Sequence, residues 1–172
     1  LRTRFGERER AASQSGTSDA MERLEAIASA EQEGLSHTSG YREARRSSLS
    51  HHGLDPGAAN AVVRLRDQIV RSLGRVRLDV RPDHTIGIET ALLRAILAGY
   101  PDRVGKRRRK NGDEIVLAGG GSAHLAESSV VRDAELLVCV EAEEKSGKVL
   151  CRVASAIEPE WLLELFPDRV KD

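Results

Sequence analysis

The sequence predicts an α+β fold in which a helical half, residues 18–100, precedes a small β-barrel, residues 101–157. Two observations support this prediction. Before Pro101 the apolar residues recur every three or four positions, which is the period of an amphipathic helix. After it, short apolar runs alternate with turn residues, which is typical of a small closed or partly open barrel. Residues 1–17 are predicted to be a linker or a frayed end, and residues 158–172 a C-terminal helix and tail.

The bulk composition is that of a globular chain without overall charge. The 172 residues include 27 Lys and Arg against 27 Asp and Glu, and 40% are hydrophobic. No apolar run approaches the ~20 residues that span a bilayer, and there is no signal peptide, so we expect a cytoplasmic protein without a membrane partner. The chain begins with Leu1 rather than methionine, from which we expect a piece of a longer polypeptide.

The first two helices are predicted from their starting residues. Asp19 with Glu22 three positions later has the spacing of a helix start, and Gly34 ends the apolar pattern that follows. Asp55 is the predicted N-cap of a second helix over residues 54–74, because Pro56 then occupies the first helical position, where its missing N–H costs nothing. This second helix carries an apolar stripe of Val62, Leu65, Ile69 and Leu73.

The third helix is predicted over residues 88–99, since Pro101 forbids its continuation. Residues 36–52 could be a helical turn or a loop, and residues 75–88 are predicted to be a linker. The histidines of the first of these segments, His37, His51 and His52, have no carboxylate or thiol at ligand spacing, so no metal site is predicted.

Five strands and a closing helix are predicted in the second half. Asn111-Gly112 is the strongest hairpin-turn pattern in the chain, and sharp turns are also expected at 119–121 and 143–147. A short helix should open at Glu158-Pro159. The predicted strands are residues 104–109, 114–118, 123–125, 135–141 and 148–156.

A dense basic run lies at the start of the predicted barrel. Six of the eight residues in 103–110 are Lys or Arg, although the chain as a whole is neutral. Such a local concentration of positive charge predicts an anion site, with phosphate backbone as the ligand. Serines in the loop after the third strand could add hydrogen bonds to the same backbone. The candidate nucleic-acid contacts are Lys106, Arg107, Arg108, Arg109, Lys110, Ser128 and Ser129.

Two interpretations of the basic run remain open. The charges could instead protect a solvated strand edge from aggregation. Aromatic residues make up only 3% of the chain, whereas single-strand binding surfaces usually use stacked rings. A structural or protein-interaction module therefore competes with a nucleic-acid-binding one.

Several segments, taken in order, carry a family resemblance. A Ser-Asp start precedes a leucine-containing helix, a Gly-Leu-Asp start precedes an arginine-rich helix, and a third helix ends in Tyr-Pro-Asp-Arg-Val. A Ser-Ser loop and a final strand followed by a Trp-Leu helix complete the set. These segments are residues 18–24, 53–68, 92–104, 125–129 and 153–165.

Together they resemble the C-terminal accessory region of DEAH-box helicases, most closely the bacterial HrpB type. The serine loop departs from the family pattern, because Leu125-Ala-Glu-Ser128-Ser129 lacks the usual His-Pro before the serines. The resemblance implies a helical helicase-associated region followed by an OB-like barrel. It also implies that the region guides single-stranded nucleic acid, RNA in this family, to motor domains of the same polypeptide. The residues themselves do not distinguish RNA from DNA.

The chain lacks the motifs of the motor itself. There is no G-x-x-x-x-G-K-S/T loop and no Asp-Glu-x-His segment, and Ser146-Gly147-Lys148 is followed by Val149, which cannot ligate Mg²⁺. We therefore expect no catalytic residue, no cofactor site and no ATPase activity in this segment. By the resemblance, ATP and Mg²⁺ are bound by the motor of the parent helicase.

The two cysteines are predicted to be ordinary core residues. Cys139 and Cys151 lie in apolar runs on strands joined by a turn, so they should be near each other. Two cysteines are too few for a disulfide scaffold and lack the spacing of a metal site. We expect free thiols without a catalytic role.

Overall fold

A computed structural model shows a helical part followed by a closed five-stranded barrel and a short final helix, which confirms the predicted α+β fold with its helical part first. The structure describes residues 15–36, 54–75, 85–145 and 147–169, with the single positions 43, 46, 47, 49 and 50. Most of the predicted linker at 1–17, much of the 75–88 segment and the three candidate histidines lie outside the described residues.

The first helix begins at Asp19 as predicted, but its first turn is capped by Ser18, because the Asp19 carboxylate is bonded to the barrel instead. Ser18 Oγ accepts hydrogen bonds from the backbone N–H groups of Ala20 and Met21, at 3.2 and 3.3 Å. Asp55 Oδ1 accepts from the N–H of Ala58 at 2.7 Å, which confirms it as an N-cap. The helices are α1 (Asp19–Ser36), α2 (Pro56–Leu73), α3 (Ile88–Gly99) and α4 (Pro159–Leu165), with a 3₁₀ turn at Pro101–Arg103. Helix α1 thus continues two residues beyond Gly34, its predicted end.

The strands close into a barrel in the order β1-β2-β3-β5-β4. Strands β3 and β5 pair in parallel and every other neighbouring pair is antiparallel. The strands are β1 (Val104–Arg107), β2 (Glu114–Leu117), β3 (Ser122–Leu125), β4 (Leu136–Lys145) and β5 (Lys148–Ala156).

Two strand ends differ from the predictions by more than one residue. Strand β1 stops at Arg107 instead of residue 109, because Arg109 already belongs to the turn, where its carbonyl accepts from the N–H of Gly112 at 2.9 Å. The turn predicted at 143–147 is wrong in extent, because residues 143–145 pair with β5 and extend β4. Only two residues remain to connect β4 with β5, and one of them, Gly147, has φ +74°, a conformation that glycine adopts without strain.

The barrel encloses the main core of the chain. Gly105 in β1 is required there, since a Cβ atom on it would lie 2.4 Å from Cγ2 of Ile115. The buried core residues are Ile115, Ala123, Leu125, Val131, Leu137, Cys139, Cys151 and Ala154.

A second apolar cluster joins α3 and α4 to the outside of the barrel. Leu97 of α3 is fully buried and packs with Val104, Val138 and Ile157, and Trp161 of α4 packs against the same cluster. By its contacts, α3 therefore belongs to the compact unit that holds the barrel, which also includes residues 15–22 and extends to the C-terminus.

The other compact unit contains α2 and the remainder of α1. Its buried apolar residues among those described are Ala30, Leu49 and Ala59, with Leu54 packed against them. Most of the predicted stripe on α2 does not enter this small core. Its apolar side chains are instead about half exposed: Val62 55%, Leu65 56%, Ile69 49%, Val70 60% and Leu73 49%.

The start of α1 is tied to the barrel by buried polar groups. Asp19, only 4% exposed, accepts three hydrogen bonds at 2.8 Å, from Ser129 Oγ and from the backbone N–H groups of Val130 and Ala154. Ser18 Oγ lies 2.7 Å from Oγ of Ser155 at the end of β5. This anchor attaches the first turn of α1 both to β5 and to the loop that follows β3.

Removing the Asp19 carboxylate should destabilise the barrel unit. We expect Asp19→Ala to lower the free energy of unfolding by roughly 3–5 kcal/mol, because each buried donor left without an acceptor costs about 1–3 kcal/mol. Ser128→Ala is a matched control, since Ser128 is exposed beside the buried Ser129, and it should change stability by less than about 0.5 kcal/mol. Urea unfolding of the variants measures both effects, and equal stability of Asp19→Ala and the unchanged chain would contradict the anchor.

Candidate nucleic-acid interface

The predicted basic run splits into inward and outward side chains. Successive residues of a strand point to opposite faces, so Lys106 is exposed whereas Gly105 and Arg107 are buried. Lys106 Nζ lies 3.1 Å from Oε1 of Glu135. Arg108, just after the strand, pairs through Nε with Oε1 of Glu114 at 3.2 Å. Two of the five candidate cations are thus partly neutralised by neighbouring carboxylates.

Arg107 is the candidate whose position differs most from its predicted role. It is 6% exposed, and its Nε and Nη2 donate to the carbonyls of Ala134 and Val131, each at 2.9 Å. Nη1 donates to the carbonyl of Gly112. Because its guanidinium is hydrogen-bonded to three backbone carbonyls, Arg107 is not placed to contact a phosphate.

The charge environment of Arg107 reflects its burial. Burial, and next the positive charge of Arg132, lower the pKa of the Arg107 guanidinium from its ordinary value. The carboxylates of Asp133 and Asp113 act in the opposite direction. An arginine remains protonated in proteins under such conditions. A buried cation therefore connects the turn that contains Gly112 with the loop that contains Val131 and Ala134.

The two candidate serines also separate. Ser129 is 3% exposed, donates to Asp19, and accepts from the N–H of Val131 at 3.2 Å. Its hydroxyl is thereby occupied inside the protein, which corrects the expectation that it faces a nucleic-acid backbone. Ser128 is exposed and remains a candidate.

Arg109 and Lys110 form the most accessible part of the run. Both are exposed in the turn between β1 and β2, where Asn111 has φ 61° and the Gly112 N–H closes the turn. Across the part of the chain that the structure describes, neither has a carboxylate within ion-pair distance. Positive charge at this turn is therefore free to attract an external anion.

Three side chains near this turn did not stand out in the sequence. His124 on β3 contacts Asp113 through Nδ1 and Oδ2 at 3.2 Å, and this hydrogen bond is the main reason why the pKa of Asp113 is lowered. Arg132 is exposed in the loop between β3 and β4. His124 and Asp113 meet because β2 and β3 pair, and Arg132 lies near Arg107, so no local pattern in the sequence marks them.

A groove of about 520 Å³ lies beside Lys106. It is lined by the apolar residues Leu136, Ala156 and Pro159, and by Glu135 and Glu158 together with the lysine. The carboxylates in its lining make the groove a poor site for an anion, so the exposed turn is the better candidate.

Neither a metal centre nor a membrane span is found in the described parts of the chain. No group of three or more His, Cys, Asp or Glu side chains within those ranges could hold a metal ion. Among the same residues, none of the helices combines the length and apolar character needed to cross a bilayer.

Comparison with known families identifies the kind of barrel. A family model described as oligonucleotide/oligosaccharide-binding (OB)-fold matches residues 92–169. These residues include all five strands, the whole of α4 and most of α3. Domains described by this model are helicase-associated, so the match fits the C-terminal region of a helicase and suggests nucleic-acid binding. No curated protein matches the chain.

The cysteines are free and buried, 2% exposed for Cys139 and fully buried for Cys151. A hydrogen bond to Cys139 and burial raise the pKa of the Cys151 thiol. Reactive thiolate is therefore scarce at Cys151 at neutral pH. The hydrogen bond with Cys151 lowers the pKa of the Cys139 thiol, but burial keeps a reagent away from this sulfur.

We expect the native chain to resist a thiol-specific reagent at neutral pH and to react at both cysteines once unfolded in urea. Cys151→Ala should cost on the order of 1 kcal/mol of stability and leave nucleic-acid binding unchanged. Mass spectrometry of the native protein provides the check, since an S–S linkage between Cys139 and Cys151 would contradict the prediction.

Proposed function

We propose that this chain is the accessory C-terminal region of an HrpB-type DEAH-box ATP-dependent RNA helicase. In this proposal its barrel guides single-stranded RNA towards motor domains of the same polypeptide, which bind ATP and Mg²⁺. The helicase-associated OB fold over residues 92–169 supports the barrel's part in this role. The RNA substrate and the HrpB-type assignment rest on the sequence resemblance.

One observation carries the nucleic-acid-binding role. Arg109 and Lys110 present unpaired positive charge on the loop between the first two strands of an OB barrel, and this loop is one that OB folds use to bind oligonucleotides. Contacts from these side chains to phosphates position a strand without reading its sequence. Lys106, Arg108 and Ser128 are secondary contacts, because the two cations have carboxylate partners and the serine is uncharged.

The double variant Arg109→Ala/Lys110→Ala should bind a labelled single-stranded oligonucleotide more weakly. The slope of log K against log salt should become shallower by about 0.7 for each phosphate that the variant no longer neutralises, to a similar degree for all sequences. Fluorescence anisotropy titrations from low to high salt measure this slope.

The matched control is Lys148→Ala/Arg152→Ala, which removes the same formal charge from β5. We expect the control to keep the original slope. An unchanged affinity in the Arg109→Ala/Lys110→Ala variant would refute the proposed nucleic-acid contact.

A second candidate function is supported by the exposed stripe on α2. Several neighbouring apolar side chains on one helix, each about half exposed, are more than isolated surface residues. In this alternative the helical unit buttresses the motor domains, and nucleic acid is not contacted directly. The two functions make different predictions and are tested separately.

We expect Leu65→Gln/Ile69→Gln to change the stability of this chain by less than about 0.5 kcal/mol per site, because both side chains are already about half exposed. In the buttressing role, the same variant should lose binding to the motor domains supplied as a separate polypeptide. Gln68→Ala, at an exposed position of the same helix, is a control for surface substitution. Differential scanning calorimetry measures the change in stability, and isothermal titration calorimetry measures binding to the motor domains. A large loss of stability would show that the stripe belongs to the hydrophobic core.

A further inference from the structure

Two loops at one end of the barrel are held together by Arg107. One is the turn between β1 and β2, which contains Gly112, and the other is the loop between β3 and β4, residues 126–135. The guanidinium donates to Gly112 of the first loop and to Val131 and Ala134 of the second. Both loops lie at the same end of the strands, since the Asp113 carbonyl accepts from the N–H of Leu125, the last residue of β3, at 2.8 Å.

The second loop adds an exposed cation that the sequence did not indicate. Arg132 follows Val131, one of the residues that Arg107 holds, and its charge is close enough to lower the pKa of the Arg107 guanidinium. Its Nη2 donates to the backbone carbonyl of Glu127. In the described residues no carboxylate lies within ion-pair distance of Arg132, although Asp133 is its neighbour in the chain.

We propose that Arg132, Arg109 and Lys110 form one phosphate clamp built from two loops, and that Arg107 is the positioning residue that holds the loops together. This proposal rests on the proposed nucleic-acid-binding function and extends it to a second loop. The ligand class is the phosphodiester backbone of a single strand.

Arg107 serves the clamp through its geometry rather than its charge. Being buried, it makes no direct contact with a ligand, but its planar fork has donors directed at carbonyls of both loops. A lysine could not replace it, because a single ammonium group on a flexible stem lacks this fork geometry. A rigid connection fixes the separation of the exposed cations before a strand binds, which reduces the entropy lost on binding.

The carboxylates at this end of the barrel determine how much positive charge the clamp can offer to a phosphate. Asp113 is engaged by His124, and Glu114 by Arg108, so these two carboxylates already have partners. Asp133 is exposed and acts on Arg107 from the same loop as Arg132. The site therefore has moderate positive charge, which fits one or two phosphates better than a long track.

The first experiment measures oligonucleotide binding to the whole chain against salt. Arg132→Ala should weaken binding about fivefold at 0.1 M salt and reduce the slope by about 0.7, as expected when one phosphate of a single strand is no longer neutralised. Lys148→Ala, one charge removed at the start of β5, should do neither.

Three outcomes distinguish the clamp from the proposed function. If Arg109→Ala/Lys110→Ala weakens binding but Arg132→Ala does not, the clamp is overturned and the function stands. If neither variant changes binding, the function fails as well. An equal loss of affinity in Lys148→Ala would overturn the clamp, because binding would then follow general charge.

The role of Arg107 is tested by a double-mutant cycle. Arg107→Lys keeps the charge but loses the fork, so adding Arg132→Ala to it should cause little further loss of affinity. Full additivity of the two substitutions would overturn the positioning role, because a merely structural residue leaves the Arg132 contact intact. If Arg107→Lys does not fold, the cycle between Arg109→Ala and Arg132→Ala replaces it. Non-additive losses of affinity in that cycle support one shared site, and additive losses overturn it.

Discussion

The carboxylate of Asp19 is the constraint on which the arrangement of the barrel unit depends. It is buried at the first residue of α1 and accepts from donors on two separate parts of the barrel, the loop after β3 and the end of β5. Buried polar groups are costly unless they are hydrogen-bonded. The Asp19 carboxylate and its donors on the barrel can therefore be buried only when the helix start packs against these segments. Backbone pairing strengthens the junction, because Gly16 and Thr17 bond Val130 and Ala156, each at 2.7 Å.

Arg107 complements Asp19 on the same loop. Residues 126–135 form no regular strand, so their buried backbone groups need partners from elsewhere. Asp19 accepts from the N–H of Val130, while Arg107 donates to the carbonyls of Val131 and Ala134. An acidic and a basic side chain, distant in sequence, thus satisfy opposite ends of the peptide groups in one loop. Both stood out in the sequence for other reasons, and both act inside the protein.

The division of the basic run decides which charges can reach a ligand. Arg107 is internal, Lys106 and Arg108 have carboxylate neighbours, and Arg109 and Lys110 remain open. Solvent-exposed ion pairs hold their charges only weakly, so a strand could still recruit the paired residues. The run is therefore both part of the barrel's internal support and a candidate surface. The interpretation as a solvated strand edge does not fit β1, because this strand pairs with both β2 and β4 in the closed barrel.

The sequence by itself determined the elements whose causes are local. The Asp55 cap, the Pro101 stop, the Asn111-Gly112 turn and the alternation in residues 148–156 give α2, the end of α3, the first hairpin and β5, since each depends on neighbouring residues. Only the tertiary structure decided which candidate site residues face water. Burial of Arg107 and Ser129 depends on partners 24, 27 and 110 positions away, and Arg132 joins the same end of the barrel through strand pairing. The exposure of the stripe on α2 was also decided by the tertiary structure, because a helical period predicts an apolar face but not the surface that covers it.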